Sequence, residues 1–338
     1  MLFDKILEYT SKFSLSDLHI RSGFPLSIRT QGEIKSFPTD IISKKEIEQF
    51  LQDNLNKSDA HDLINEKELD CAFQKEGKRY RANIFYTDTG INMVLRLINE
   101  SVIKMEKLNL PIIIGKQIQE SNGLILVTGP TGSGKSTTLA SMIDWLNCNR
   151  NFNIITIEDP IEFIHKSQNS IISQRQVGRD TKSFSRALKS ALREDPDIIL
   201  VGELRDQETI SLALTAAETG HLVFGTLHTN GAPRTVNRII DAFSADQQNQ
   251  IRFQLSQTLR MVVTQKLFKR KDGSGRVAAF EIMINNNAIA NLIRENKVHQ
   301  ILSVMQTATN EGMVTMDKYT ENLIKQGLID VNATKGGH

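Results

Sequence analysis

The stretch Gly129-Pro130-Thr131-Gly132-Ser133-Gly134-Lys135-Ser136 matches the pattern G-x-x-x-x-G-K-[ST] in full. It follows a short apolar run, Leu124–Thr128, and precedes a predicted helix, Ser136–Leu146. Glycines let the backbone of such a loop wrap around phosphate groups, and its N–H groups then point inward at the start of the following helix. The strand and the helix on either side argue against a chance match in a Gly-rich turn, so the stretch predicts a phosphate-binding loop.

Individual residues of this loop have predicted roles in binding a nucleoside triphosphate. Lys135 places a cation on the outer phosphates, and the hydroxyl of Ser136 is placed to bind Mg²⁺. We therefore expect ATP and Mg²⁺ as ligands. The remaining residues expected to contact the nucleotide are Gly129, Thr131, Gly132, Ser133, Gly134 and Thr137.

Four short apolar runs alternate with helical stretches in this part of the chain: Leu124–Thr128, Ile154–Ile157, Ile198–Val201 and Leu222–Thr226. Continuously apolar runs separated by helices indicate a parallel sheet covered on both faces. The fold class predicted here is therefore α/β. In such sheets, ligands bind at the carboxyl ends of the strands.

Polar residues follow the other three runs at this edge of the sheet. Glu158 and Asp159 come after the second run, Glu203 after the third and His228 after the fourth. Because these strands deliver their polar residues to the same edge as the phosphate loop, we expect an active site there.

Glu203 is the predicted catalytic carboxylate. It ends the stretch from Asp195 onward, which looks like a Walker B strand, although Gly202 stands where an acid often precedes the glutamate. Asp197 cannot substitute, since it lies at the other end of the strand, roughly 20 Å away at about 3.3 Å per residue. Glu203 could orient the attacking water or hold Mg²⁺ through a water molecule. The alternative is a surface glutamate that caps a loop.

Glu158 is a second candidate, able to polarise water or to help hold the metal, and the alternative is an acid capping a helix before Pro160. The sequence leaves open whether Glu158 or Glu203 is the general base. His228 lies at the carboxyl end of the fourth strand and can face the γ-phosphate. His221 lies at the other end of that strand, so we do not expect the two histidines to share a pocket within one subunit.

The first part of the chain, residues 1–98, reads as a smaller α+β domain, followed by a polar linker over 99–111 and a nucleotide-binding domain over 112–338. Helices are predicted at Leu2–Ser11 and Lys44–Leu55. The predicted strands are Leu18–Arg21, Leu26–Phe37 with a turn at Gly32, Arg79–Tyr86 and Ile91–Ile98.

Arg81 and Arg96 lie on two of these strands. They could supply a planar cation to the phosphates if this domain closes over the nucleotide, or they could be ordinary exposed arginines. Further arginine candidates are Arg193, Arg205 and Arg238.

Composition excludes several classes of protein. The chain has 41 Lys and Arg residues against 39 Asp and Glu, a net charge of +2, and no basic stripe, which argues against a nucleic-acid binder. Its two cysteines, Cys71 and Cys148, are too far apart in sequence to suggest a zinc site. No apolar segment approaches the length of about 18 residues that is typical of a membrane span, so the cytoplasm is the expected location.

Four boxes in order and spacing carry a resemblance to a known family: GPTGSGKSTT (129–138), ITIEDPIEF (155–163), ALREDPDIILVGELRD (191–206) and ETGHLVFGTLHTN (218–230). Four further segments extend it over nearly the whole chain: SDLHIR (16–21), RYRANIF (79–85), NLIRENKVHQI (291–301) and GMVTMDKY (312–319). Together they resemble the PilT branch of the type II/IV secretion ATPases. The resemblance implies a PAS-like N-terminal domain, a RecA-like P-loop core and a homohexameric ring that hydrolyses ATP to retract type IV pili in twitching motility. It also implies an inner-membrane pilus platform protein as partner, a location at the cytoplasmic face of the inner membrane through partners only, and no nucleic acid.

The same resemblance assigns roles to Lys135 and Ser136 in the phosphate loop, Glu158 in the acidic box, Glu203 as the Walker B acid, His221 and His228 in the histidine box, and Arg81 and Arg96 in the accessory domain.

One departure from the branch pattern is Ala290, within 288–295, where the branch usually has arginine. Ile289, Leu292 and Ile293 form one helical face, which indicates either a helix packed on the core or a helix that couples the motor to a partner. Two other functions remain open: an ATPase of a secretion or conjugation channel, and a RecA-like nucleic-acid translocase.

Overall fold

The computed structural model describes residues 2–13, 15–30, 33–98 and 102–334. The chain divides into two compact units, Met1–Glu100 and Ser101–His338. The predicted turn at Gly32 and residues 99–101 of the predicted linker lie outside the described residues. Farther along the predicted linker, Met105 and Leu110 pack against the core of the second unit.

The first unit is an antiparallel sheet with helices. Its helices are α1 (Leu2–Lys12), α2 (Lys44–Asn54) and α3 (Lys57–Glu66). Its strands are β1 (Asp17–Arg21), β2 (Phe24–Thr30), β3 (Glu33–Ile42), β4 (Glu68–Lys75), β5 (Lys78–Thr87) and β6 (Gly90–Ile98). The strands hydrogen-bond in the order β3-β2-β1-β6-β5-β4, and each neighbouring pair is antiparallel.

Apolar spacing explains the two helices predicted in this unit. Leu2, Phe3 and Ile6 of α1 are buried, as expected for one helical face against a core. Helix α2 begins with a capping box, in which Ser43 and Glu46 satisfy each other's backbone N–H groups. The predicted helices and the strands corresponding to β1, β5 and β6 are confirmed to within a few residues, whereas α3 and β4 were not predicted.

The second unit alternates strands and helices. Its strands are β7 (Gly123–Thr128), β8 (Asn153–Glu158), β9 (Ile171–Gln176), β10 (Ile198–Val201), β11 (Leu222–Leu227), β12 (Leu259–Lys269) and β13 (Arg276–Ile284). Its helices are α4 (Ile112–Gln117), α5 (Lys135–Asn149), α6 (Phe184–Ala191), α7 (Gln207–Glu218), α8 (Ala232–Ile240), α9 (Gln248–Thr258), α10 (Asn287–Arg294), α11 (Ile301–Thr307) and α12 (Met316–Lys325).

The sheet of this unit has the order β13-β12-β7-β11-β10-β8-β9. All neighbours pair in parallel except β12 and β13, which form an antiparallel pair at one edge. The prediction of a parallel sheet is therefore confirmed, and the four predicted runs correspond to β7, β8, β10 and β11. Strands β9, β12 and β13 were not predicted. Strand β13 returns alongside β12 after a short turn and so needs no crossover helix.

Helices cover both faces of this sheet, and successive residues of a strand supply opposite faces. On β7, Leu124 and Leu126 belong to the core cluster beneath α6 to α11, whereas Ile125 and Val127 belong to the cluster beneath α4 and α5. Burial on both faces is the reason that these strands read as continuous apolar runs. Within the described ranges, no helix combines the length and apolar character needed to cross a bilayer.

Candidate active site

The carboxyl ends of the central strands meet at one edge, as the sequence predicted. Thr128 at the end of β7 lies opposite Leu227 at the end of β11, and Val201 lies opposite Ile157 near the end of β8. The phosphate loop, Glu158, Glu203 and His228 therefore leave the sheet on the same side. Strand β12 adds a neighbour on the other side of β7, where Thr264 pairs with Thr128.

Glycine is required in the phosphate loop by both conformation and space. Gly129 and Gly134 have φ of +141° and +90°, which L side chains rarely adopt. A Cβ at Gly129 would lie 2.3 Å from the backbone oxygen of Gln265. The side chain of Gln265 lies under the next turn, where its Oε1 accepts a 2.7 Å hydrogen bond from Thr138. Residue 265 thus supports the loop from β12, a contribution that the sequence did not predict.

Lys135 is held at the mouth of the loop. Its Nζ donates to the carbonyl oxygens of Gly129 at 2.9 Å and Pro130 at 3.1 Å. Burial lowers the pKa of Lys135, and the nearby carboxylates of Glu203 and Glu162 partly offset this effect. The ammonium group is therefore desolvated and close to acids, and a phosphate bound there would gain strongly from it.

Other groups of the loop remain available for a ligand. Helix α5 begins at Lys135, and its N-cap Gly134 supplies no side-chain cap, so the first N–H groups of the helix can bind an anion. The hydroxyl of Ser133 is buried and has no hydrogen-bond partner in the described part of the chain. Thr131 and Gly132 are exposed, while Ser136 and Thr137 are partly exposed on the first turn of α5. These features fit a loop shaped for phosphate.

Glu203 lies in a chain of polar contacts that reaches Lys135. Its Oε1 is 3.4 Å from Nε2 of His228, and Nδ1 of His228 is 3.5 Å from Nζ of Lys135. Its Oε2 accepts a 2.6 Å hydrogen bond from Arg205. The structure thus brings together Lys135, Glu203 and His228, which the sequence had placed at one edge, and shows that Arg205 joins them.

Glu158 has a different environment from Glu203. Its Oε1 accepts hydrogen bonds from Thr156 at 2.7 Å and from the side-chain amide of Gln174 at 3.1 Å. Burial raises the pKa of Glu158, and these hydrogen bonds act against that rise. A carboxyl group with a raised pKa is a stronger base than an ordinary one, so Glu158 stays a candidate general base beside Glu203.

The structure explains the unusual glycine before Glu203. A Cβ at Gly202 would lie 3.2 Å from the carbonyl oxygen of Ile157 and 3.3 Å from Cα of Glu158. That spacing leaves little room for a side chain between β10 and β8. Asp197 lies at the opposite end of β10, where it accepts a 2.8 Å hydrogen bond from the backbone of Asn153.

His221 is not brought to this edge within the chain. It precedes β11, and its Nδ1 lies 3.0 Å from the carbonyl oxygen of Ala216, at the end opposite the phosphate loop. The separation predicted for His221 and His228 is thus what the structure shows.

Arg81 and Arg96 lie in the first unit, directly opposite each other on β5 and β6. Both form ion pairs there, Arg81 with Asp70 at 2.8 Å and Arg96 with Asp17 at 2.9 Å. Arg81 is partly exposed and Arg96 is exposed, so both guanidinium groups reach solvent from the sheet.

Gln174 is a residue of this region that the sequence did not single out. Its side chain accepts from the backbone N–H of His165 at 2.8 Å and donates to the carbonyl oxygen of Phe163 at 2.9 Å, in addition to its bond to Glu158. It ties the segment after β8 to Glu158. Only its place on β9, beside β8, reveals this role, and no local pattern marks it.

Comparison with known proteins gives a family for this arrangement. The model of the family described as type II/IV secretion system protein matches residues 65–334. The chain is similar to the type IV pilus retraction ATPase PilT of Pseudomonas aeruginosa, with 48% identity over 96% of this chain and 94% of the relative.

Solved structures agree with the sequence comparison. The chain resembles a crystal structure of the pilus retraction motor PilT with bound ADP, at a TM-score of 0.91 and 45% identity over 97% of this chain and 94% of that one. It also resembles the ATPase DotB of Legionella pneumophila, at a TM-score of 0.84 and 30% identity over 99% and 94% of the two chains. The chain belongs to the type II/IV secretion system protein family, in the branch of the PilT retraction ATPases, and is a P-loop ATPase.

Proposed function

We propose that this chain hydrolyses ATP to drive retraction of type IV pili, and so powers twitching motility. The observation that carries the proposal is the contact chain Lys135–His228–Glu203 at the carboxyl edge of the sheet, in a protein similar over nearly its full length to a pilus retraction ATPase. A loop for phosphates, a carboxylate and a histidine within one contact chain are the parts that ATP hydrolysis needs.

In the proposed site, Gly129, Thr131, Gly132, Ser133, Gly134, Lys135, Ser136 and Thr137 bind the phosphates of ATP. Lys135 neutralises the outer phosphates, and His228 contacts the γ-phosphate. Glu203 orients the attacking water, with Glu158 as the alternative base. The support for these roles is that the phosphate loop, Lys135, His228 and Glu203 share one edge and adjoin one another.

A magnesium ion fits the donors at this edge. Mg²⁺ prefers oxygen ligands, keeps several waters and takes one or two protein groups besides the phosphates. Ser136 would hold it directly, and Glu203 would hold it through water. Across the described ranges, no group of three or more His, Cys, Asp or Glu side chains could hold a metal by itself. When bound, the ion would neutralise developing charge on the phosphates.

The proposed assembly is a homohexamer in which Arg81 and Arg96 of the accessory domain, residues 1–98, reach the nucleotide, as does His221. A linker over 99–111 joins this domain to the ATPase domain, residues 112–338. Both arginines are solvent-accessible on one sheet, which supports such a role. His221 lies at the sheet end remote from the phosphate loop of its own chain, so a neighbouring subunit is where it would act.

The proposed location is the cytoplasm, at the cytoplasmic face of the inner membrane, where an inner-membrane pilus platform protein would be the partner. Association with the membrane would run through that partner, and no nucleic acid would take part. The near balance of 41 basic and 39 acidic residues supports the last point.

A paired biochemical and genetic experiment tests this proposal. Lys135→Ala removes the cation of the phosphate loop and should abolish phosphate release, while the purified wild-type protein should hydrolyse ATP. Deletion of the gene should abolish twitching, and the wild-type gene but not the Lys135→Ala gene should restore it. Normal twitching after deletion would overturn the pilus assignment, whereas an inactive wild-type protein would overturn the ATPase assignment.

A secretion or conjugation channel remains the second candidate, because the matching family is described as type II/IV secretion system protein. In that case deletion would leave twitching intact and abolish export of a substrate. The near full-length similarity to a pilus retraction ATPase favours retraction.

A further inference from the structure

Glu281 is a buried acid on β13, outside the residues assigned to ATP binding or hydrolysis. It is 6% exposed, and its neighbours along the strand, Phe280 and Ile282, are core residues. Among the described residues, no basic side chain forms an ion pair with it. A buried carboxyl group without an ionic partner is costly unless other donors satisfy it, so its hydrogen bonds indicate why it is there.

Two helix starts supply these donors. Oε1 of Glu281 accepts a 2.8 Å hydrogen bond from the backbone N–H of Ala232, the first residue of α8. Oε2 accepts a 3.3 Å hydrogen bond from the N–H of Met316, the first residue of α12. The N-terminus of a helix carries partial positive charge and free N–H groups, so each helix start stabilises the carboxylate. One side chain thus caps two helices.

Helix α8 depends on this remote cap. Its N-cap residue is Gly231, which has no side chain with which to accept a hydrogen bond, and Pro233 at the second position has no N–H. Within the described part of the chain, Glu281 is the side chain that accepts from this helix start. Fixing Ala232 therefore fixes where the preceding loop enters α8.

That loop contains His228. We call residues 228–231 the His228 loop; it connects the end of β11 to the start of α8. Its Thr229 hydroxyl lies 2.7 Å from the hydroxyl of Thr235, one turn into α8, so the loop and the helix start form one hydrogen-bonded unit. A shift of Ala232 would be transmitted to His228, and His228 contacts both Lys135 and Glu203.

Helix α12, the second helix that Glu281 caps, lies in the C-terminal part of the chain. Val314 forms a two-bond backbone bridge with Ile282, beside Glu281, at 2.8 and 3.1 Å. This bridge docks the segment before α12 on β13, and the Glu281 carboxyl group then holds the first turn of α12. Glu281 also lies directly opposite Thr264, which pairs with Thr128, the last residue of β7 before the phosphate loop.

We infer that Glu281 is a positioning residue that sets the His228 loop relative to Lys135 and Glu203 and couples this loop to helix α12. The inference rests on the proposed ATPase site. It assigns Glu281 no contact with nucleotide. Movement of α12 would displace the Glu281 oxygen that is bonded to Met316. The other oxygen, bonded to Ala232, would transmit this displacement to the His228 loop.

Glu281→Gln tests the inference in the full-length protein, because an amide offers one oxygen where the carboxylate offers two. One helix start must then face an NH₂ group instead of an acceptor. We expect kcat for ATP hydrolysis to fall about tenfold or more, since small displacements of catalytic groups have large effects on turnover. ADP affinity and the oligomeric state should stay close to wild type. Glu311→Gln, a change of an exposed acid that contacts Asn286, is the matched control and should change none of these quantities.

Hydrogen exchange supplies the readout that a merely structural role would not produce. In Glu281→Gln, amides of residues 228–240 and of 312–325 should exchange faster together, while α5 should keep its wild-type protection. Unchanged kcat, or faster exchange in only one of the two segments, would overturn the coupling. If neither Glu281→Gln nor Glu281→Asp assembles like the wild type, Glu281 acts in folding and the inference fails. An inactive wild-type protein would instead count against the proposed function.

Discussion

Arg205 donates from Nε to Oε2 of Glu203 at 2.6 Å, two residues along the same loop. This guanidinium therefore holds one oxygen of the acid expected to act on water, while the other oxygen faces His228. Glu203 is thus oriented on both sides by nitrogen-containing side chains of the same chain. The arrangement leads to a direct test of which acid performs the chemistry.

Glu203→Gln keeps the shape of the side chain and removes its charge. We expect ATP to bind and kcat to fall about 10²- to 10⁴-fold, the usual effect of losing a positioned acid or base. Phosphate release and nucleotide affinity measure the two quantities separately. Glu218→Gln, at the exposed end of α7, serves as the control and should hydrolyse normally. A near-normal rate in Glu203→Gln would transfer the catalytic role to Glu158, and Glu158→Gln would then carry the loss.

Arg96 offers a test of the accessory domain. If it reaches nucleotide only after domain closure, Arg96→Ala should lower turnover far more than nucleotide affinity. Its ion pair with the buried Asp17 complicates this variant, because the acid loses a donor. Asp17→Asn separates the two effects, since it removes the ion pair and leaves Arg96 in place. Equal losses of turnover in both variants would show that Arg96 acts by holding Asp17, and equal losses of turnover and affinity in Arg96→Ala would indicate a ground-state contact.

His165 predicts a pH dependence of stability. Burial lowers its pKa from 6.5 to about 4, so the unfolded chain takes up a proton at a higher pH than the folded protein does. Stability that is present above pH 6.5 is therefore lost as the pH falls toward about 4. His165→Phe removes this titration and should lose less stability over the same range, as measured by melting temperature. His299→Phe, on an exposed residue, should behave like wild type. Identical acid sensitivity of wild type and His165→Phe would contradict the assignment.

Variants of helix α10 test whether this helix only packs on the core or also couples the motor to a partner. Ile289 and Ile293 are fully buried, which confirms a helix packed on the core, whereas Leu292 is only partly buried against it. Leu292→Ser should therefore cost little stability. If the helix also couples the motor to a partner, the variant should keep the proposed hexamer and measurable ATPase activity but lose pilus retraction. Ile293→Ser should cost about 3–5 kcal/mol, because it creates a cavity and buries a hydroxyl. Size exclusion, phosphate release and a motility assay compare them. Loss of the hexamer or of soluble protein in Leu292→Ser would return the whole helix to a packing role.

Much of the second unit could be predicted because its central strands are buried on both faces. Strands β7, β8, β10 and β11 are continuous apolar runs, and the rule that parallel strands end at one edge then brought Glu203 and His228 to the phosphate loop. The edge strand β9 escaped prediction, because its sequence, Ile171–Gln176, is mostly polar and partly exposed. Strand β12 escaped because Thr264, Gln265 and Lys266 interrupt its apolar run.

The supporting contacts of the site could not be predicted in the same way. Gln174, Gln265 and Glu281 act through hydrogen bonds to residues distant in sequence, and their positions depend on strand order. A local pattern carries no information about which strand lies beside which. The pairing of Arg205 with Glu203 is close in sequence, but the choice among several arginines required the conformation of the loop.

The contact between Gly129 and the backbone oxygen of Gln265 has a consequence for how this protein can change over time. Main-chain atoms are present whatever amino acid occupies position 265, so no substitution there can make room for a Cβ at position 129. A suppressor screen that begins from Gly129→Ala should therefore recover revertants to glycine, or changes that displace β12 as a whole. The path of β12 therefore fixes glycine at position 129, and this position should not tolerate substitution even where the side chains around it vary.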